Sequence, residues 1–141
     1  MSKLVSTATA QLRQALAQAI QAAIDAGQLP QAPLPEIQLE VPADRSHGDW
    51  SCNTAMAGAR TFRMAPVKIA QAIQENLDLS GTYFDKCEIA GPGFLNFTYE
   101  PRFYGEVLQD IHRLGGDYGR SDYGQGKRVL VEFVSANPTG P

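Results

Sequence analysis

Two cysteines, Cys52 and Cys87, and two histidines, His47 and His112, are all that 141 residues supply of thiol and imidazole. No CxxC or other paired spacing groups them, which excludes a disulfide framework and argues against a structural zinc site. Both thiols are expected to be reduced and no metal to be bound. Long apolar runs are missing too. The first residues lead into an Ala/Gln-rich stretch interrupted by Arg13, not into the core of a signal peptide or a membrane span, so a cytoplasmic protein without membrane association is expected. Nor is there a basic excess. Twelve Lys and Arg against 15 Asp and Glu leave a formal net charge of -3, which excludes coating of nucleic acid by bulk electrostatics but not a local contact. The glycines from Gly115 to Gly126 fit neither GxGxxG nor a P-loop.

What is present is patterning enough for one core of ordinary size. From Lys3 to Ala26, Val5, Leu12, Leu16, Ile20 and Ile24 recur near every fourth residue and Gly27 stands at a C-cap position, predicting a long amphipathic helix. Pro30, Pro33 and Pro35 interrupt regular structure. Ile37, Leu39 and Val41 then alternate with polar residues as a half-buried strand until Pro42. A turn over Arg45 to Asp49 leads to a short return strand ending at Cys52, and Asn53 opens a small helix to about Arg60. A further helix starts at Pro66, presents Ile69, Ala70, Ile73 and Leu77, and stops before Ser80-Gly81. Arms over Phe84 to Ala90 and Phe94 to Tyr99, joined by Gly91-Pro92-Gly93, predict a hairpin. The next helix starts at Pro101 with Tyr104, Val107, Leu108, Ile111 and Leu114 expected to face inward.

This order predicts an α+β domain of two layers, of α-β(2)-α-β(2) type, with an antiparallel sheet carrying helices on one face. Residues 1–116 form that domain, and 117–127, polar and glycine-rich, read as a linker. Residues 128–141 begin something else. Val129-Leu130-Val131 and Phe133-Val134 are broken only by Glu132, the pattern of a strand covered on both faces in a parallel sheet. The expectation is a chain cut from a longer protein, with the orphan strand either pairing with an exposed sheet edge or lying loosely on the surface.

Several side chains invite a function. Arg60, Arg63 and Lys68 have no acid between them: either a patch that meets a few phosphates or a solvated helix surface. Along the second hairpin arm, Leu95, Phe97 and Tyr99 share one face and Phe94, Asn96 and Thr98 the other. If the first set packs on the helices, Phe94 offers a stacking ring and Asn96 an amide donor and acceptor to an unstacked base. In the other reading Phe94 is core and Asn96 serves the hairpin backbone. Trp50 reads as core. His47 and Asp49 suggest proton transfer, but no nucleophile is near them in sequence and such an aspartate commonly caps local backbone.

The string Val131-Glu132-Phe133-Val134-Ser135-Ala136-Asn137-Pro138-Thr139-Gly140-Pro141 resembles the opening of the catalytic domain of arginyl-tRNA synthetases, ahead of the His-x-Gly-His signature of class I synthetases. That signature does not occur within these residues. His47-Gly48-Asp49, then Asn53 and Ala55-Met56, Pro66 with Ile69-Ala70, and Gly91-Pro92-Gly93-Phe94-Leu95-Asn96-Phe97 are similar, in that order, to strings of the additional domain preceding catalysis in the bacterial type of this family. The likeness spans nearly the whole chain.

The resemblance implies an arginine-tRNA ligase, which with ATP and Mg2+ joins L-arginine to tRNA(Arg) through arginyl-adenylate. It implies that this fragment is inactive alone and binds no cofactor, and that its domain meets the tRNA D-loop through Phe94 and Asn96. Some family members carry tyrosine where Phe94 stands; phenylalanine keeps the stacking surface without the hydroxyl. The resemblance further implies that Glu132, Ser135 and Asn137 contact the arginine substrate. The alternatives are a free-standing RNA-binding or interaction module, whose last strand edges its own sheet, and a small hydrolase using His47.

Overall fold

The computed structural model describes residues 3–133. Helix α1 (Lys3–Asp25) buries Leu12, Leu16 and Ile20 completely, with Ala8, Ala19 and Ala23 between them, so one stripe of large and small side chains enters the core. It ends as its sequence foretells, with Gly27 N–H donating to the Ile24 carbonyl and Gln28 N–H to that of Ala23, both at 2.9 Å. Strand β1 (Leu39–Glu40) is shorter than the alternation predicted: it lies at the sheet edge and has only the three residues of β2 (Trp50–Cys52) to pair with. Between them Arg45–His47 form a 3-10 turn whose cap is Asp44, accepting from Ser46 N–H at 2.8 Å.

The small helix expected after Asn53 is divided into α2 (Thr54–Ala57) and α3 (Ala59–Phe62), and Asn53 makes no side-chain cap bond. Gly58 at the junction lies against the Phe62 ring, which is fully buried. Helix α4 (Pro66–Glu75) starts at its proline but stops short of Ser80, because the Asn76 amide turns back to the Ala72 carbonyl at 2.8 Å; Leu77 still packs on the core from the following loop. Strands β3 (Phe84–Ala90) and β4 (Phe94–Tyr99) have the predicted bounds.

The four strands run antiparallel in the order β1-β2-β4-β3, with α1, α2 and α4 packed on one face. The α+β expectation holds. Leu95 and Phe97 are fully buried and Tyr99 nearly so, while Phe94 and Thr98 lie on the opposite face with Lys86 and Glu88 of the neighbouring strand.

Helix α5 (Pro101–Leu114) departs from expectation. Phe103 is its one buried residue, stacked on Tyr99 with centroids 3.8 Å apart and planes 3° from parallel, and Val107 is half-buried. Tyr104, Leu108, Ile111 and Leu114 face solvent instead of the core. Only the first turns of the helix lie over the aromatic cluster of Tyr83, Phe84, Tyr99 and Phe103, so correct amphipathic spacing finds no partner further along. Trp50, expected in the core, is half-buried and donates its Nε1–H to the Tyr99 hydroxyl at 2.7 Å.

Residues 129–133 form no strand and are exposed, with Leu130 at 92% and Phe133 at 85%. Within this chain the segment pairs with no sheet edge, and its backbone keeps its hydrogen-bonding groups toward water. Residue 134 and those beyond it lie outside the described residues.

Both cysteines are free. Burial pushes the Cys87 thiol up to about 12, with Cys52 and Glu88 adding to the shift. At pH 8 the folded chain therefore holds about a thousandfold less Cys87 thiolate than an unfolded chain titrating at 9.0. Alkylation by iodoacetamide is expected to be slow in buffer and fast in guanidinium. A raised folded value also means that this contribution to stability is complete below the unfolded pKa and is lost as pH climbs toward about 12. Rapid Cys87 labelling of the native protein at pH 8 would refute this burial.

Candidate nucleic-acid interface

On the face turned away from the helices, the strand register lines up one residue from each strand. Glu40 opposes Ser51, Ser51 opposes Asn96, and Asn96 opposes Glu88. Glu40, Ser51 and Asn96 of this row form part of the floor of a cleft of ≈ 680 Å³. One wall is the hairpin end, Ala90 to Pro92 with Phe94; the other is the loop from Val41 to Asp44 with His47.

Phe94 retains 37% of its surface at the mouth of this cleft, a ring with an accessible face. Asn96 does not stand on an open sheet face as expected. It is 7% exposed, sunk between the loop and the hairpin because the Val41–His47 segment folds over the same side of the sheet. Its carboxamide makes no hydrogen bond to any described residue and borders the cleft, leaving a donor and an acceptor for a molecule that enters.

The charges sort by position. The Ser46 backbone N–H holds the Asp44 carboxyl below its ordinary value, so the rim carries a carboxylate at neutral pH, and Glu40 lines the same cleft. Lys86 pairs with Glu88 at 2.9 Å. Such a lining repels phosphate and suits the N–H edges of a base. Positive charge lies next door: Arg60, Arg63 and Lys68 are all exposed, none in an ion pair with a described residue. Gly93 touches Pro66, where a Cβ would come within 3.0 Å of the Pro66 carbonyl carbon, so the hairpin end packs on the start of α4 and the basic turn adjoins the aromatic one.

The loop wall is fastened from behind. Gly48 sits at φ 90, and a Cβ there would lie 2.6 Å from the Phe97 carbonyl oxygen. Asp49 N–H donates to that same carbonyl at 2.8 Å, while the Asp49 carboxylate accepts from Tyr99 N–H at 2.8 Å and from the Tyr104 hydroxyl at 3.1 Å. The expectation that Asp49 caps its local backbone is corrected: the backbone it caps is that of a strand 50 residues on. His47 is exposed at the rim, with Asp49 turned to Tyr99 and Tyr104 rather than to it, which leaves no catalytic pair.

Sequence reasoning missed Ser51, Glu40 and Pro42 as lining residues, since their place depends on register and on the loop's fold-over. Glu132, placed by the sequence pattern within an apolar strand, is exposed and outside any strand. Ser135 and Asn137 lie outside the described residues. No described helix is long and apolar enough to cross a membrane, and no group of three potential metal ligands occurs among the described residues.

Residues 10–99 match the family described as arginyl tRNA synthetase N terminal domain. The arginine–tRNA ligase of Acetivibrio thermocellus is 44% identical over 100% of this chain, and that of Desulforamulus reducens 48% identical over 99%. In both cases this chain spans 25% of the relative's length. Among solved structures, the arginyl-tRNA synthetase of Plasmodium falciparum shares the fold at a TM-score of 0.50 and 17% identity, over 66% of this chain and 17% of that one.

Substitutions behind the loop test its anchoring. Asp49→Ala leaves the Tyr99 N–H without its acceptor and should cost about 1.5–3 kcal/mol in urea unfolding. Asp49→Asn, which keeps one acceptor oxygen, should cost less. Equal stability of Asp49→Ala and wild type would show that this bond does not hold the wall.

Proposed function

Because this chain belongs to the arginyl-tRNA synthetase N-terminal domain family, we propose that it is the tRNA-gripping accessory part of an arginine–tRNA ligase. The longer protein joins L-arginine to tRNA(Arg), consuming ATP with Mg2+ by way of arginyl-adenylate, and works in the cytoplasm. The part described here performs no chemistry. It takes the D-loop of the tRNA in the cleft of Phe94 and Asn96, and residues 117–127 link it to the catalytic part. Glu132, Ser135 and Asn137 serve the arginine substrate once the rest of that part surrounds them.

One observation carries the D-loop reading: an exposed aromatic ring and an enclosed, unpaired carboxamide border the same cleft, two residues apart on one strand face. An extruded base that stacks on Phe94 points its edge toward Asn96. Phosphates of the same loop then reach Arg60, Arg63 and Lys68 beyond the hairpin end. The acidic lining discourages a phosphate from taking the base's place.

Binding of arginine tRNA separates these roles. Phe94→Ala should weaken affinity about 5- to 150-fold, the equivalent of about 1–3 kcal/mol of stacking, while Phe94→Tyr retains binding. Asn96→Ala should weaken it as well and relax preference at the contacted nucleotide. Removing Arg60, Arg63 or Lys68 should weaken binding of any tRNA and flatten the salt dependence by about 0.7–0.9 per lost phosphate contact. Unchanged affinity in both Phe94→Ala and Asn96→Ala would end the D-loop assignment.

A further inference from the structure

Helix α5 carries an apolar arc that its own domain does not use. On a helical wheel Phe103, Leu114, Val107, Ile111, Tyr104 and Leu108 follow one another around one side. The domain takes Phe103 and part of Val107. The remainder of the arc is left to solvent, with Tyr104 at 51%, Leu108 at 67%, Ile111 at 40% and Leu114 at 37% exposure. The opposite side is satisfied within itself: Arg102 pairs with Glu100 and Glu106, Arg113 pairs with Asp110, and the Tyr83 hydroxyl donates to Glu106. Most charges of the polar side thus have partners nearby, while the apolar side is open. A contiguous exposed stripe of this kind marks a contact surface.

Its position says what covers it. The relatives that match this whole chain are about four times as long, so in them this domain is one part of a larger polypeptide. Helix α5 is the last long element among the described residues, and the chain after it exposes a second apolar group, Val129, Leu130, Val131 and Phe133. We propose that the Tyr104-Leu108-Ile111-Leu114 stripe is the docking face for the remaining, catalytic part of a full-length family member, which covers it with an apolar surface in cis. A helix of 14 residues is about 21 Å long, so a docked α5 becomes a strut that sets the distance and angle between the D-loop cleft and the catalytic part. Tyr104 ties the two ends together, since its hydroxyl also holds Asp49 behind the cleft's loop wall. This inference rests on the family membership but not on the D-loop assignment.

The test measures amide hydrogen exchange over residues 104–114 in this chain and in a full-length polypeptide carrying it, each with and without Leu108→Glu plus Ile111→Glu. Exchange should be at least tenfold slower in the full-length protein, and the paired substitution should abolish that protection. In the 141-residue chain the same substitutions should move Tm by less than about 2 °C, because both side chains already face water. Equal exchange in the two wild-type polypeptides, or protection that survives the substitutions, overturns the proposal. Concentration-dependent dimerisation of the shorter chain that the substitutions abolish would assign the stripe to a second copy and also overturn it. Phe94→Ala serves as the control: it should weaken tRNA binding while leaving exchange over 104–114 unchanged, so failure of one reading is distinguishable from failure of the other.

Discussion

Strand β4 lies between β2 and β3, and its two-residue period ties every other feature to one choice of face. Leu95 and Phe97 are sealed against α1, α2 and α4, and Tyr99 stacks on Phe103. A slip by one residue would bring Phe94 and Asn96 into that core and push Phe97 into water, exchanging a large aromatic for an amide. Removing a side chain such as Phe97 from a core costs about 3–5 kcal/mol, so the register has strong support. The outward set then has no freedom either. Phe94 and Asn96 border the cleft because their neighbours are needed inside.

The same strand organises the loop that closes the cleft. Phe97 offers its carbonyl to Asp49, and Tyr99 its N–H to the Asp49 carboxylate, so the Val41–Asp49 segment is anchored to the core strand by backbone groups. Only glycine tolerates the approach at position 48. Loop docking and cleft shape are therefore coupled: the bonds that dock this loop also leave Asn96 on the floor of a cleft instead of on an open sheet face. An amide held there, with no hydrogen bond to a described residue, borders the cleft with its donor and acceptor, and a mismatched ligand would leave one of them unmet.

Charge follows a comparable division of labour. With a net charge of -3 the chain has no overall attraction for nucleic acid, and two of its carboxylates, Glu40 and Asp44, line the cleft. Three cations without an ion pair to a described residue, Arg60, Arg63 and Lys68, lie around the α3–α4 turn that Gly93 brings against the hairpin end. Under the proposed D-loop reading, bases and phosphates would meet different surfaces a short distance apart, as suits one splayed-out loop of RNA rather than a long duplex.

Much of this was legible in residue order. The 3.6-residue period of α1, prolines at the starts of α4 and α5, and the glycine-flanked hairpin are local signals, and local sterics enforce them wherever they occur. Alternation in β4 even told which hairpin residues would share a face. Contact between distant segments was not legible. Nothing in the residues around Asp49 indicates that it will accept from Tyr99, nor that Pro42 and His47 will wall in Asn96, since those depend on which strand neighbours which and on a loop's fold-over. Helix α5 and the segment 129–133 have the spacing of buried elements yet remain exposed, because periodicity reports which side of an element is apolar and not whether a partner is there to cover it.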